Sequence, residues 1–241
     1  MRLISKAASI AAVAILVGCG GGGGNGPVVI GDDENFYQGA PNVYAYPQYE
    51  LTQQNKDDLA FMGNEERLAY DLYTYLYNYH LTNSNTEIRQ LSNIANQSET
   101  THIKVVRDLV NKYEIEPDEL TIIGEPVASR TTPQDELPAG KYDVEHVQEL
   151  YDALEDKGKQ SVRDALEVGC MVEVTDINDL NPKIDAANAS GAKDLVEAFE
   201  FLRAGSYNHY WAFDRGLKSL GISDGCCSLG DEWCHPEYPQ R

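Results

Sequence analysis

Four stretches of the chain place apolar side chains at alternating spacings of three and four, the signature of helices that bury one face. In the first, Asn55 reads as the N-cap and Leu59, Met62, Glu66, Ala69, Tyr73 and Leu76 share a face. Glu65 is rotated about 100° from Glu66 and falls off that stripe. The second, from about residue 86 to 113, runs Ile88, Leu91, Ala95, Glu99, His102, Val106, Leu109 and Tyr113. The third opens at Ser161, which with Asp164 resembles a capping arrangement, carries Leu166, Gly169, Glu173, Asp176 and Leu180, and is expected to end at Pro182. The last, about 191 to 220, aligns Leu195, Phe199, Leu202, Ser206, His209 and Phe213. The pattern predicts an all-α fold. Between the second and third helices, Pro117, Pro126, Pro133 and Pro138 rule out one continuous helix over 114–142. A shorter amphipathic helix follows over 144–156, with Val147, Leu150, Tyr151 and Leu154, closed by Gly158.

Each long stripe is interrupted by polar residues in its middle: Glu66 in the first, Glu99 and His102 in the second, Glu173 and Asp176 in the third, His209 in the fourth. Burying an ionised carboxylate without a partner costs several kcal/mol, so four in one layer must take up protons or hold cations. Two divalent ions would cancel four carboxylates. An oxygen-rich set with two imidazoles suits iron or manganese better than thiolate-seeking metals. A lone Glu or His in a stripe is ordinary core chemistry; the conjunction across four helices, each in phase with its own period, points to a metal site.

The formal charge of −20 argues against nucleic acid and anionic lipid surfaces as partners, because such a surface repels phosphates while accumulating cations. At the N-terminus, Arg2 and Lys6 precede a short apolar run, and Leu16-Val17-Gly18-Cys19 places small residues before a cysteine. This resembles a bacterial lipoprotein signal, with 1–18 as signal peptide and Cys19 as the lipidated residue. Such a run is too short to span ~30 Å of hydrocarbon comfortably. Gly20 after the cysteine implies, by the same resemblance, outer-membrane sorting in a source with two membranes. Residues 19–51, rich in Gly, Asn, Asp, Pro and Tyr, read as a flexible tether. The helical domain is expected over 52–221 and a Cys-containing tail over 222–241.

The sequence Glu66-Arg67-Leu68-Ala69-Tyr70-Asp71-Leu72-Tyr73 resembles the E-x-x-A-x-x-x-Y of rubrerythrins and related ferritin-like proteins, and Glu99 with His102 resembles their E-x-x-H. Glu173 and Asp176 resemble the paired carboxylates of their third helix. From about Asp57 to Leu217 the chain is similar to an uncharacterised prokaryotic ferritin-like domain family, with EE-x-LA-x-D-x-Y, SE-x-x-H and Gly205-Ser206-x-x-His209-x-x-Ala212-Phe213. The resemblance implies a ferritin-like four-helix bundle whose long crossover between helices two and three carries the short extra helix. It implies a di-iron (or manganese) site and ferroxidase or peroxidase-type chemistry with dioxygen or peroxide, Tyr73 lying just outside the ligands. One departure matters: Ser206 stands where many di-iron members have a carboxylate, which weakens the case for a second ion.

Cys170, Cys226, Cys227 and Cys234 are an even set in a chain expected to be exported, so disulfides are permitted. Cys234 is expected to pair with Cys226 or Cys227, since adjacent cysteines bond each other only with strain. Cys170 is then a plain buried thiol or the partner of the other tail cysteine. A Cys/His cluster with His235 has poor spacing for zinc. His80 and His146 carry no ligand signal beyond the continuation of the first stripe at His80. Three function classes follow: a metal-dependent oxidoreductase, a metal-binding protein without turnover, and an interaction lipoprotein that uses the helices as a scaffold.

Overall fold

The computed structural model describes residues 26–129 and 131–240; the expected signal peptide and Cys19 lie outside the described residues. The described chain is mostly helical. It contains α1 (Gln53–Ser84), a composite helix made of α2 (Arg89–Ile94), a π-helical turn (Ala95–Glu99) and α3 (Thr100–Lys112), then α4 (Glu145–Gly158), α5 (Val162–Ser190) and α6 (Lys193–Ser219).

Local chemistry sets the helix ends. Thr52, not Asn55, caps α1: its hydroxyl accepts from the Asn55 N–H at 3.1 Å, and Asn55 Oδ1 accepts from the Thr52 N–H at 3.3 Å. The helix stops at Asn85, whose φ of 50° is the left-handed conformation that asparagine tolerates. Ser161 caps α5 by accepting from the Asp164 N–H at 3.0 Å. The helix does not end at Pro182 but continues to Ser190 and stops at Gly191 with φ 76°. A proline inside a helix costs about 3 kcal/mol. Leu180, Ile184 and Ala187, all buried around it, offset that cost, since one buried Leu or Ile side chain contributes about 1.5–3 kcal/mol.

Two apolar cores sit at opposite ends of the helices. One holds Leu72, Ile94, Leu166, Phe213 and their neighbours; the other holds Leu59, Leu109, Leu180, Phe199 and theirs. Between them every long helix contributes polar residues: Glu66 lies between Met62 and Ala69, Glu99 and His102 between Ala95 and Val106, Glu173 and Asp176 between Cys170 and Leu180, and Ser206 and His209 between Leu202 and Phe213. The order in which each helix crosses the cores fixes its direction. α1 and α6 run from the second core to the first; α2–α3 and α5 run the other way. Because α3 and α5 point alike, the chain must return the length of the helices between them, and 113–161, including α4, makes that passage.

The part of the expected tether that is described, 26–51, packs on the helices instead of standing free. Strand β1 (Val28–Ile30) pairs in parallel with β2 (Thr86–Ile88), Val28 opposite Thr86. Phe36 and Val43 are buried. The Phe36 N–H donates to Gln97 Oε1 at 3.0 Å, and Lys112 Nζ donates to the Val43 carbonyl at 2.8 Å. In the tail, disulfides join Cys170 to Cys226 and Cys227 to Cys234, so α5 is tied directly to the segment after α6. His235 stacks on Tyr238 with ring centroids 4.4 Å apart and lies away from the polar layer.

Candidate metal centre

The polar layer brings five of the expected ligands into two overlapping triads. Glu66, Glu99 and His102 form one; Glu99, Glu173 and His209 form the other. Glu99 belongs to both. One of its carboxylate oxygens lies 3.2 Å from His102 Nδ1 and the other 3.1 Å from His209 Nδ1. Glu66 Oε2 completes the first triad 3.0 Å from His102 Nδ1, and Glu173 Oε2 the second 3.3 Å from His209 Nδ1. Donors that bind one ion at about 2.0–2.2 Å lie roughly 3.0–3.4 Å from each other; the imidazole–carboxylate distances fall in that range, and all donor atoms of each triad lie within 4.8 Å of one another.

Asp176, the sixth expected ligand, stands outside the triads. Its Oδ2 accepts a hydrogen bond from the Ser206 hydroxyl at 2.5 Å. All six residues are buried, none more than 8% exposed. Glu65, Glu66, Glu99, Glu173, Asp176 and Ser206 line a cavity of about 10 Å³, which is about one water-sized probe. Glu66 Oε1 and His209 Nε2 are buried without a hydrogen-bond partner, so the site has donor atoms that the protein itself leaves unused.

Electrostatics show what the layer does without metal. Burial alone would raise the Glu99 carboxyl, but the His102 and His209 charges outweigh it and hold the group well below the usual carboxylate range. Burial disfavours charged imidazoles, yet Glu66 and Glu99 push His102 well above its ordinary value, and Glu173 and Glu99 bring His209 to about 9. Desolvation lifts Glu66 and Glu173, against the pull of His102 and His209 respectively, and lifts Asp176 to about 7 against the Ser206 hydrogen bond. Protons thus stand in for cations in the metal-free layer. Metal binding would displace them, because the ligating forms are carboxylate and neutral imidazole.

The local fold explains how these atoms meet. The π-helical turn over Ala95–Glu99 adds a residue per turn immediately before His102, and such turns reset the facing of the residues that follow. Gly205 lies against the His102 ring, where any Cβ would collide with Nε2. Tyr73, fully buried, donates from its hydroxyl to Glu173 Oε1 at 2.5 Å; burial first, then Glu173, keeps the phenol protonated far above its normal range. Phe36 meets the His209 ring edge-on at 5.7 Å, and Phe201 meets the His102 ring at 5.5 Å.

Sequence periodicity misses four participants. Glu65, expected off the stripe, is buried, and its Oε2 has no partner; burial first, then Asp176, raises it well above the usual range. Phe36 lies in a segment without period. Gly205 and Ser98, whose Oγ sits 3.3 Å from His102 Nε2, show no signal beyond their places in motifs. His80 is buried at the far end of α1, with Nε2 2.8 Å from the Gly158 carbonyl, and takes no part in the layer.

A mostly helical protein whose long helices share a buried layer of carboxylates and imidazoles is the class that fold and site define. Within it, the chain belongs to the family described as an uncharacterized protein domain (DUF2202), which matches residues 55–231. It is 34% identical over 179 residues to the uncharacterized protein MJ0754 of Methanocaldococcus jannaschii, covering 74% of this chain and 83% of that one. The crystal structure of the hypothetical protein MJ0754 superposes with a TM-score of 0.59 at 33% identity, over 73% of this chain and 86% of that one.

Proposed function

We propose that this protein is a ferritin-like four-helix bundle that binds two iron ions, or manganese, and uses them in ferroxidase or peroxidase-type chemistry. The observation that carries the reading is the sharing of Glu99 between two triads, each completed by one further carboxylate and one imidazole. Ferritin-like carboxylate sites take one Glu from each of two helices and an E-x-x-H from each of the other two. Glu66, Glu173 and the Glu99/His102 pair fit that scheme, as do the helix directions and the long passage between α3 and α5. Bound iron supplies one-electron exchange with dioxygen or peroxide. The chain's own residues hold the ions, exclude bulk water through the two flanking cores, and fix Glu173 through the Tyr73 hydroxyl.

A second reading, metal binding without turnover, is favoured by Ser206, which supplies a hydroxyl where a carboxylate would complete the second E-x-x-H. Metal analysis of protein purified without chelator tests the site: two equivalents of iron or manganese are expected, and none would end the proposal. Oxygen or peroxide consumption on addition of Fe(II) separates turnover from storage.

We also propose that the protein is exported and lipid-anchored at Cys19. The signal-like leader and the two disulfides support this, disulfides being rare in reducing compartments; no helix among the described residues is long and apolar enough to cross a membrane. Cys19→Ala should move the protein from the membrane to the soluble fraction, and unchanged fractionation would refute the anchor.

A further inference from the structure

One helical turn from Glu66 and His102, against α1 and α3, a cavity of about 140 Å³ opens beneath the connection that follows α3. Its walls are apolar, including Leu59, Val106, Val110, Ile115, Leu120 and Ile123. An apolar cavity of ~150 Å³ admits a benzene-sized molecule.

Two guanidinium groups, Arg67 and Arg107, also line it. In a chain with 39 acidic and 19 basic side chains, neither arginine forms an ion pair among the described residues. Their hydrogen bonds engage only one nitrogen each. Arg67 Nη2 donates to the Pro138 and Lys141 carbonyls at 3.3 and 3.0 Å, and Arg107 Nη2 donates to the Thr132 carbonyl at 2.5 Å. Arg67 also lies over the Tyr142 ring, 5.4 Å from its centroid, and its charge favours the Asp71 carboxylate. Each group carries five N–H donors, so N–H groups beyond these bonds remain for a ligand. Arg67 is 8% exposed. Burial and the neighbouring Arg67 charge both lower the Arg107 pKa, so the two cations repel across the cavity. The one carboxylate in the lining, Asp143, accepts from the Val127 N–H.

An apolar chamber the size of one ring, with two guanidiniums at its wall that no carboxylate bridges, matches one ligand chemistry. We propose that it binds a small amphiphilic carboxylate of about benzoate size, its hydrocarbon end in the chamber and its carboxylate between Arg67 and Arg107. The anion relieves the repulsion between the guanidiniums, and planar forks suit a carboxylate. The metal centre has no part in this argument, so either reading can fail alone.

Isothermal titration of the full chain with benzoate tests the site, with benzyl alcohol and inorganic phosphate as comparison probes. Saturable benzoate binding is expected, at least about tenfold tighter than either comparison, the scale of one charge-assisted hydrogen bond. Arg107→Gln, at a half-buried position, should weaken benzoate about tenfold, and Ala60→Phe, which fills the chamber, should abolish it, both with unchanged helical circular dichroism. Absence of saturable binding overturns the proposal. So does benzyl alcohol binding as tightly as benzoate, which removes the guanidiniums from the site, or phosphate binding as tightly, which removes the chamber. Benzoate affinity unchanged in either variant likewise overturns it.

Discussion

Ser206 on α6 donates its hydroxyl proton to Asp176 Oδ2 on α5 at 2.5 Å, both side chains being buried. Ser206 stands three residues before His209, where a glutamate would complete a second E-x-x-H. Its hydroxyl is taken up by Asp176, which lies outside both triads but lines the same small cavity as Glu66, Glu99 and Glu173.

This pairing gives the first prediction. Asp176→Asn removes a buried carboxylate beside both triads and should weaken metal binding by about 10–100-fold, the range for partners that support a metal site. Ser206→Ala removes only the hydrogen bond and should cost about 1 kcal/mol of metal-free stability. Competition titration with a chelator measures the former and urea unfolding the latter; metal affinity unchanged in Asp176→Asn would contradict a supporting role for this carboxylate.

A second prediction removes no donor atom. A Cβ at position 205 would collide with the His102 ring, and both residues are buried, so the ring must move. Gly205→Ala should lose most bound metal and about 1–3 kcal/mol of stability, the usual range for overpacking. Metal content equal to wild type would show that His102 is not held where the site needs it.

The helical stripes were legible because each long helix buries one face, and the polar interruptions stood out against them. Glu66, Glu99, His102, Glu173, Asp176 and His209 are all found in the buried layer for that reason. Glu65 was not legible. A helix packed on more than one side buries a wider arc than a single stripe, and α1 meets both α3 and α5. Residues 26–51 give no such signal for a different reason. A segment that packs in extended form through Phe36 and Val43 shows no period, and its glycines and asparagines look like linker. Pro182 predicts a helix end from local propensity alone, whereas packing carries α5 on to Ser190.

The third prediction concerns pH in the metal-free protein. His209 is raised to about 9 from about 6.5, so its stabilising contribution is complete below about 6.5 and is lost as pH rises through 9. Asp176, raised to about 7 from about 3.9, likewise contributes below about 3.9 and has lost that contribution above 7. Glu99, held low, works in the opposite sense: its contribution is present above about 4.3 and fades only at more acid pH. Between pH 6 and 9 the falling terms dominate, so Tm in the presence of chelator should decrease over that interval. Metal-loaded protein should show a flatter profile, its ligands being already deprotonated. A metal-free Tm that rises from pH 6 to 9 would be incompatible with this charge arrangement.

The fourth prediction separates the shared carboxylate from the others. Counting charges alone, removal of any one of four buried carboxylates relieves repulsion and should leave metal-free protein at least as stable. The geometry reverses that expectation for Glu99. It is the one carboxylate of the layer held below its ordinary range, and it faces both imidazoles at 3.1 and 3.2 Å. Glu99→Ala leaves two buried imidazoles without their common partner and should cost about 3–5 kcal/mol, as does breaking other buried ion pairs. Glu66 faces only His102, at 3.0 Å, so Glu66→Gln, which keeps its shape, should cost less metal-free stability than Glu99→Ala. The two triads predict metal content in the same way. Glu99→Ala should bind no metal, whereas His209→Ala, which breaks only one triad, should keep about one equivalent. Urea unfolding in chelator and metal analysis of the three variants provide the readouts. If Glu99→Ala retains one equivalent while His209→Ala retains none, the two ions do not share Glu99, and the centre is built around His209 instead.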